Sequence, residues 1–316
     1  MSTSAPRVSV VVPSWTGEVS RLQRSLAEQT FRDVEIEVVR GVSPAARARN
    51  VGAARARGDI LLFVDDDAYL GDPRVIERLV AVLDRDPDVA VVGTSKLAPP
   101  DATRFRRAVA RQVPRMTYPV VDHDTDSNPP LHGYGFCAIT TTCCVVRRAQ
   151  FQELGGFDES LATGEDTDFF YRVHQAGGRL VVAARTWVYH DPPGDLRDLL
   201  RASFGYGRGH ALEARKDPSR GMDMLRLDER WGRRRLLFAL PALPLLFLVH
   251  PYFDPERRLV LGVRPLKTLS TYAVLAGYVY GWFHGPSRRP TTTYRGREPA
   301  SDTAEQLEGG PLGRSA

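Results

Sequence analysis

Three short apolar runs, Val8–Val12, Val34–Val39 and Ile60–Val64, alternate with two stretches of helical pattern, and this alternation limits the possible folds more than any other feature of the chain. Short runs rich in β-branched residues suit strands covered on both faces, as in a parallel sheet. Between them, Arg21–Gln29 sets Leu22, Leu26 and Gln29 on one helical face. Ala45–Arg57 reads as an Ala- and Arg-rich helix with Val51 and Ala54 inward and Gly58 just beyond its end. Strand, helix, strand, helix, strand is the opening of a doubly wound α/β sheet. Val75–Leu83 then reads as a helix and Val89–Gly93 as a fourth strand. From Lys96 to Pro130 the pattern dissolves into Pro, Asp and Arg, a long excursion. Strand character returns at Ala138–Val146, helix at Glu165–Ala176 and strand at Leu180–Ala184.

A chain of 316 residues with 42% hydrophobic content can bury one large α/β core and carry an appendage. The formal charge of +5 is spread over scattered arginines, with no basic face interleaved with aromatics, which argues against a nucleic-acid partner. Anionic small molecules or acidic lipid headgroups fit better. Cys137, Cys143 and Cys144 sit in one apolar stretch at spacings that suit neither a disulfide framework nor a zinc site, so buried thiols in a reducing compartment are expected. The N-terminal segment lacks the basic start and longer apolar run of a secretory signal, so a cytoplasmic start is expected.

After Arg235 the character changes, which sets expected boundaries at 1–225 for the α/β domain, 226–285 for an apolar helical segment and 286–316 for a disordered tail. Leu236–Val249 is almost wholly apolar but contains Pro241 and Pro244 and is short of the roughly 20 residues of a straight membrane span. In the second apolar stretch, Thr268–Phe283, small residues recur every fourth position at Ala273, Gly277 and Gly281 and on to Gly285, the face used for close helix contact in membranes. Arg233–Arg235 and Arg288–Arg289 flank the two stretches. A shallow hairpin or helices lying on the cytoplasmic face of the cell membrane are expected.

The densest chemistry lies in LLFVDDDAYLG, an apolar strand delivering Asp65, Asp66 and Asp67 at its carboxyl end, where open α/β sheets bind ligands. Crowded carboxylates repel one another unless a cation sits among them. Strand alternation turns Asp65 and Asp67 to one side and Asp66 to the other. A Mg²⁺ or Mn²⁺ ion shared with diphosphate oxygens suits such a pair. In GGFDESLATGEDTDFFYRVHQAGG, Glu165, Asp166 and Asp168 open a helix. The macrodipole accounts for part of that placement, but a carboxylate aimed at a hydroxyl is also what a general base requires. In TWVYHDPPGD, His190 follows a short strand and offers an imidazole for a metal or a diphosphate.

VSVVVPSW, ARARNVGAARARGDILLFVDDD, LGGFDE, GEDTDFFYR and WVYH follow in an order and at distances that resemble the family 2 glycosyltransferases over roughly residues 7 to 215. The resemblance implies the GT-A fold, a Rossmann-like, doubly wound, mostly parallel sheet. It implies transfer of a sugar from a nucleotide-diphosphate donor to a hydroxyl of a glycan or lipid-linked acceptor with inversion, in cell-envelope or exopolysaccharide synthesis. By that resemblance, Asp65 and Asp67 occupy the metal- and diphosphate-binding positions with Asp66 beside them, and His190 lies near the metal. Asp166 is the catalytic base and Glu165 positions acceptor or base. Pro13, Ser14 and Trp15 line the nucleoside pocket, and Arg49 and Asn50 lie against the nucleotide. The sequence departs from the family after its second strand, where Arg40 and Gly41 replace an Asp-bearing loop, so recognition of the donor base does not carry over.

Residues 97 to 136 are expected to shape the acceptor site, with Arg104, Arg106, Arg107 and His132 available to an anionic group. The alternatives are a sugar-phosphate nucleotidyltransferase and a non-catalytic nucleotide-sugar-binding module. The first wants a Gly-rich basic loop after the opening strand, of which PSWTGEVSR is a poor version; the second sits badly with two intact acidic motifs.

Overall fold

A computed structural model of the chain describes residues 5–129, 137–161, 163–216, 249–253 and 259–284. The alternation is realised as β1 (Val8–Ser14), α1 (Ser20–Ala27), β2 (Val34–Arg40), α2 (Ala45–Arg55), β3 (Ile60–Val64), β4 (Ala68–Leu70), α3 (Val75–Arg85) and β5 (Val89–Leu97). There follow α4 (Arg104–Gln112), a 3₁₀ turn at Pro114–Met116, β6 (Thr125–Asp126), β7 (Cys143–Arg147), α5 (Arg148–Glu153), α6 (Glu165–Gln175), β8 (Arg179–His190) and α7 (Leu196–Lys216). Beyond these lie β9 (Val249–Phe253), β10 (Leu259–Val263) and a helix here called α8 (Pro265–His284).

Eight strands form one sheet in the order β2-β1-β3-β7-β5-β8-β4, with β6 paired to β8. The expected mostly parallel sheet is instead mixed. β1 pairs in parallel with β2 and β3, and β5 with β8, but β7 runs antiparallel between β3 and β5, and β4 and β6 run antiparallel on β8. β1, β2, β3, β5 and β8 do share one direction. The reversed strands are short and enter from loops, so their sequence carries no crossover signal.

The apolar runs are buried on both sides, as their composition requires. One core layer joins the sheet to α1 and α3 through Leu22, Leu26, Ile76, Leu79 and Leu83. The other joins it to α2, α5 and α6, where Phe63, Phe151, Phe157 and Phe169 pack with ring centroids 5.0–5.2 Å apart. Gln29, just beyond the end of α1, is buried with both ends of its amide used: Nε2 donates to the Asp72 carbonyl at 2.9 Å and Oε1 accepts from Ile76 N at 3.1 Å.

Helix α2 turns a different face inward from the expected one. Ala46, Arg49, Gly52 and Ala53 are buried while Ala54 is exposed. Alanine on every side leaves no periodic signal, and the face is chosen by Gly52. A Cβ there would meet Val11 Cγ1 at 2.5 Å, so only a hydrogen lets the helix reach the sheet. The helix stops at Arg55, three residues before Gly58, and Gly58 serves instead to let the chain pass the backbone of Ser9. The excursion from Lys96 holds helix α4, and the strand expected over Ala138–Val146 is ordered as strand only from Cys143.

Residues 236–248, the tail after His284 and, in the excursion after β5, His132 lie outside the described residues. The part described is not all helical: β9 and β10 form an antiparallel pair before α8. Among the described residues, no helix is long and apolar enough to cross a membrane. The small face of α8 is spent inside the chain. A Cβ on Gly277 would stand 2.0 Å from the Phe204 carbonyl oxygen, and one on Gly207 of α7 would stand 1.9 Å from that of Val274.

Candidate active site

Because β1, β2, β3, β5 and β8 run in one direction, their carboxyl ends bring Ser14, Arg40, Asp65, Lys96 and His190 to one edge of the sheet. Beyond β3 the chain turns, with Ala68 N donating to the Asp65 carbonyl at 3.1 Å, and returns as β4. Its antiparallel register on β8 sets Ala68 opposite His190, which brings the neighbouring Asp67 beside the imidazole, Oδ1 to Nε2 3.4 Å. One ligand atom from each of Asp65, Asp67 and His190 lies within 4.8 Å of the others. Asp65 and Asp67 thus converge as expected, but through a turn and not through strand alternation. Asp66 stands in the same turn outside this group. Two carboxylate oxygens and an imidazole nitrogen are a donor set that fits Mn²⁺ or Mg²⁺ with room for substrate oxygens.

Arg49 joins this group to the second acidic motif. From the middle of α2, its Nη2 donates to Asp65 Oδ1 and its Nη1 to Glu165 Oε1, both at 2.6 Å. The side chain is almost wholly buried, and its Cζ lies 5.8 Å from the Phe157 ring centroid. Expected against the nucleotide, Arg49 instead has both terminal nitrogens committed to carboxylates. Burial alone would raise Asp65, but the Arg49 charge, His190 and hydrogen bonds from Arg49 and Thr142 hold it below its ordinary value. At Glu165 the balance falls the other way: burial, with the adjacent Asp166 carboxylate adding to it, pushes the group up to about 7 against the pull of Arg49.

Helix α6 begins at Glu165 after Gly164, whose φ of 86° is a left-handed conformation favouring glycine. Asp166 is the second residue of the helix, half-buried, and its Oδ1 accepts from Thr167 N at 2.8 Å. Asp168 has a structural task. It accepts from Arg172 Nε at 2.9 Å, while Arg172 also donates to the carbonyls of Leu154 and Gly156 and so fixes the Gly-Gly turn before the motif. Asn50 closes the same turn from α2, donating Nδ2 to the Phe157 carbonyl at 2.8 Å and accepting from Phe157 N at 2.9 Å. Its side-chain bonds all go to this loop.

At the mouth beyond β1, Ser14 is buried and its Oγ accepts from Gly17 N at 2.8 Å; Pro13 is half-buried and Trp15 exposed. The Arg40 side chain crosses Gly17 so closely that a Cβ there would lie 2.5 Å from Nε. Of the arginines expected on the acceptor side, Arg106 pairs with Asp191 at 3.0 Å and Arg107 donates to the Ala102 carbonyl at 2.6 Å. Arg104 is exposed.

Lys96 and Arg115 escaped the sequence reading. Lys96 extends β5 beyond the polar Thr94 and Ser95, where the apolar pattern has ended. Burial pulls its ammonium below the ordinary lysine value, with Asp65, Asp166 and Asp67 opposing and Arg115 adding. Arg115 donates to Ser203 Oγ at 3.1 Å and Ser270 Oγ at 3.0 Å and lies 4.5 Å from the Tyr206 ring centroid.

A helix-flanked mixed sheet whose aligned strand ends gather two aspartates, a histidine and a helix-opening carboxylate pair is the architecture of a glycosyltransferase. The chain belongs to the family 2 glycosyltransferases: the model described as glycosyltransferase like family 2 matches residues 3–204. It is 31% identical over 183 residues to a pre-mycofactocin glycosyltransferase of Mycobacterium tuberculosis, covering 56% of this chain and 36% of that protein. It is 30% identical over 147 residues to the O-antigen biosynthesis protein RfbC of Myxococcus xanthus, covering 45% of this chain and 12% of that protein. Succinoglycan biosynthesis protein ExoA of Rhizobium meliloti is 28% identical over 207 residues, covering 65% and 60%. The chain therefore spans less than two thirds of each of these relatives. Its fold is similar to that of a mannosyltransferase from Pyrobaculum calidifontis solved in complex with GDP-Man and Mn²⁺, with 17% identity, a TM-score of 0.54 and coverage of 89% of this chain and 88% of that one.

Proposed function

We propose that this chain is an inverting glycosyltransferase that moves a sugar from a nucleotide-diphosphate donor to a hydroxyl of a glycan or lipid-linked acceptor in cell-envelope or exopolysaccharide synthesis. The observation that carries it is the convergence of Asp65, Asp67 and His190, tied by Arg49 to the carboxylate pair that opens α6. Relatives named for O-antigen and succinoglycan biosynthesis support the acceptor class, and the Pyrobaculum mannosyltransferase with GDP-Man and Mn²⁺ supports the donor class.

Asp65, Asp67 and His190 would hold Mn²⁺ or Mg²⁺. When bound, such an ion neutralises charge on the diphosphate leaving group. Asp166 takes the proton from the acceptor hydroxyl as its oxygen attacks the anomeric carbon, and the carbon–oxygen bond to the diphosphate breaks with its electron pair staying on oxygen. Glu165 and Arg49 fix the helix terminus from which Asp166 acts. Pro13, Ser14 and Trp15 line the nucleoside side of the sheet edge.

We further propose that the protein works on the cytoplasmic face of the cell membrane. Support comes from α8, whose outward side exposes Val279, Trp282 and Phe283, the last to 77%.

The experiment is a donor panel: purified protein, Mn²⁺, nucleotide sugars and membrane extract, with mass spectrometry of the products. A glycosyl mass gain in the extract together with nucleoside diphosphate is expected. Pyrophosphate release would point instead to a nucleotidyltransferase, and donor binding without turnover to a binding module.

A further inference from the structure

The Lys96 ammonium makes no side-chain hydrogen bond or ion pair among the described residues; its bonds are those of its main chain with Tyr118, at 3.0 Å and 2.7 Å. It is nonetheless half-buried at the carboxyl end of β5, where the register of Lys96 on Val188 places it two residues short of His190 on the adjacent strand. The carboxylates whose charge it feels are Asp65, Asp166 and Asp67, and a second cation, Arg115, is near enough to repel it.

A partly desolvated cation without a contact partner is costly unless a counter-charge is close. Asp65 and Asp67 supply that charge while no metal is bound. Once a divalent ion occupies the Asp65–Asp67–His190 group, those carboxylates no longer offset the lysine, and an anion has to take their place. The diphosphate arriving with the metal is that anion. It acquires a further negative charge when its bond to the sugar breaks, so a fixed ammonium is worth more at that moment than before it.

We propose that Lys96 binds the diphosphate of the donor and stabilises it as it departs. The inference rests on the glycosyltransferase function proposed above. Lys96 donates a hydrogen bond to a diphosphate oxygen and keeps its proton; the acceptor's proton goes to Asp166, and the electron pair of the broken carbon–oxygen bond stays with the diphosphate.

Inorganic pyrophosphate with Mn²⁺ is a probe independent of base and sugar, and calorimetry reads its affinity directly. Lys96→Met should bind it roughly 10- to 100-fold more weakly than the unaltered protein, the loss of one charge-assisted hydrogen bond. Lys96→Arg should recover most of the affinity, and both variants should still require Mn²⁺. Lys96→Gln provides a second neutral variant, with melting curves to establish that each is folded. Asp67→Ala separates the two claims. If it abolishes the Mn²⁺-dependent binding while neutral substitutions of Lys96 leave affinity unchanged, the metal site stands and the role of Lys96 is overturned. A loss in Lys96→Met confined to inorganic phosphate without Mn²⁺ would put the lysine on an acceptor phosphate and overturn the proposal. An unaltered protein that ignores Mn²⁺ and pyrophosphate would remove the functional assignment along with it.

Discussion

At the scale of single residues, Arg49 is the link between the two acidic motifs. Its two short ion pairs link Asp65 to Glu165, so the two acidic motifs, 100 residues apart in sequence, respond to one buried guanidinium. Removing it takes from the buried Glu165 and the half-buried Asp65 the cation they share. Arg49→Ala should therefore cost about 3–5 kcal/mol in urea unfolding, the usual cost of breaking a buried pair from one side. Asp166→Asn should leave donor binding intact and lower turnover by about 10²- to 10⁴-fold, the share that general-base catalysis commonly supplies; unchanged turnover would remove Asp166 from that role. Glu165 sets a pH dependence. Its folded value of about 7 lies above the ordinary 4.5, so its protonated form stabilises the fold fully below 4.5, and that contribution is lost as pH rises through about 7. Melting curves should show the unaltered protein losing stability relative to Glu165→Gln across that window. Much of this was legible in the sequence, because crowded carboxylates after an apolar strand have few uses. The pairing of Arg49 with Glu165 was not legible, since a contact across 116 positions leaves no local pattern. Nor was Lys96, which follows two polar residues where a strand seemed to have ended.

At the scale of elements, the site depends on a short strand that carries almost no signal. β4 is three residues long, yet its register on β8 is what puts Asp67 next to His190. The long β8 was read as two separate pieces, Leu180–Ala184 and a short strand before His190, because Arg185, with φ 54°, and Thr186 interrupt the apolar pattern where the register against β5 shifts. Small residues at every fourth position of α8 were legible as a close-packing face, and the partner proves to be α7 of the same chain. Gly277→Val would drive a side chain into the Phe204 carbonyl, so denaturant unfolding should show a loss of about 1–3 kcal/mol or more from overpacking. Retained stability would mean that the two helices do not approach so closely in solution.

At the scale of the whole molecule, the alternation over the first three strands was enough to place the sheet edge where the candidate site lies, because strands joined by helical crossovers run in one direction. It could not reveal β7 inserted in reverse between β3 and β5, whose Cys-Cys-Val-Val sequence suits either direction. The exposed side of α8 carries a prediction at this scale. Vesicles containing anionic lipid should co-sediment the protein, and Trp282→Ser with Phe283→Ser should weaken that association; equal recovery of both proteins in the supernatant would separate α8 from membrane contact.

The central claim is that Asp65, Asp67 and His190 bind one divalent cation together with a diphosphate. Pulsed electron paramagnetic resonance of Mn²⁺ on protein carrying ¹⁵N-labelled histidine, with a nucleoside diphosphate present, tests it most directly. A histidine nitrogen coupling that vanishes in His190→Ala, with Mn²⁺ binding lost in Asp67→Ala, is the predicted result. Tight Mn²⁺ binding with no such coupling, or binding indifferent to Asp67, would contradict the claim.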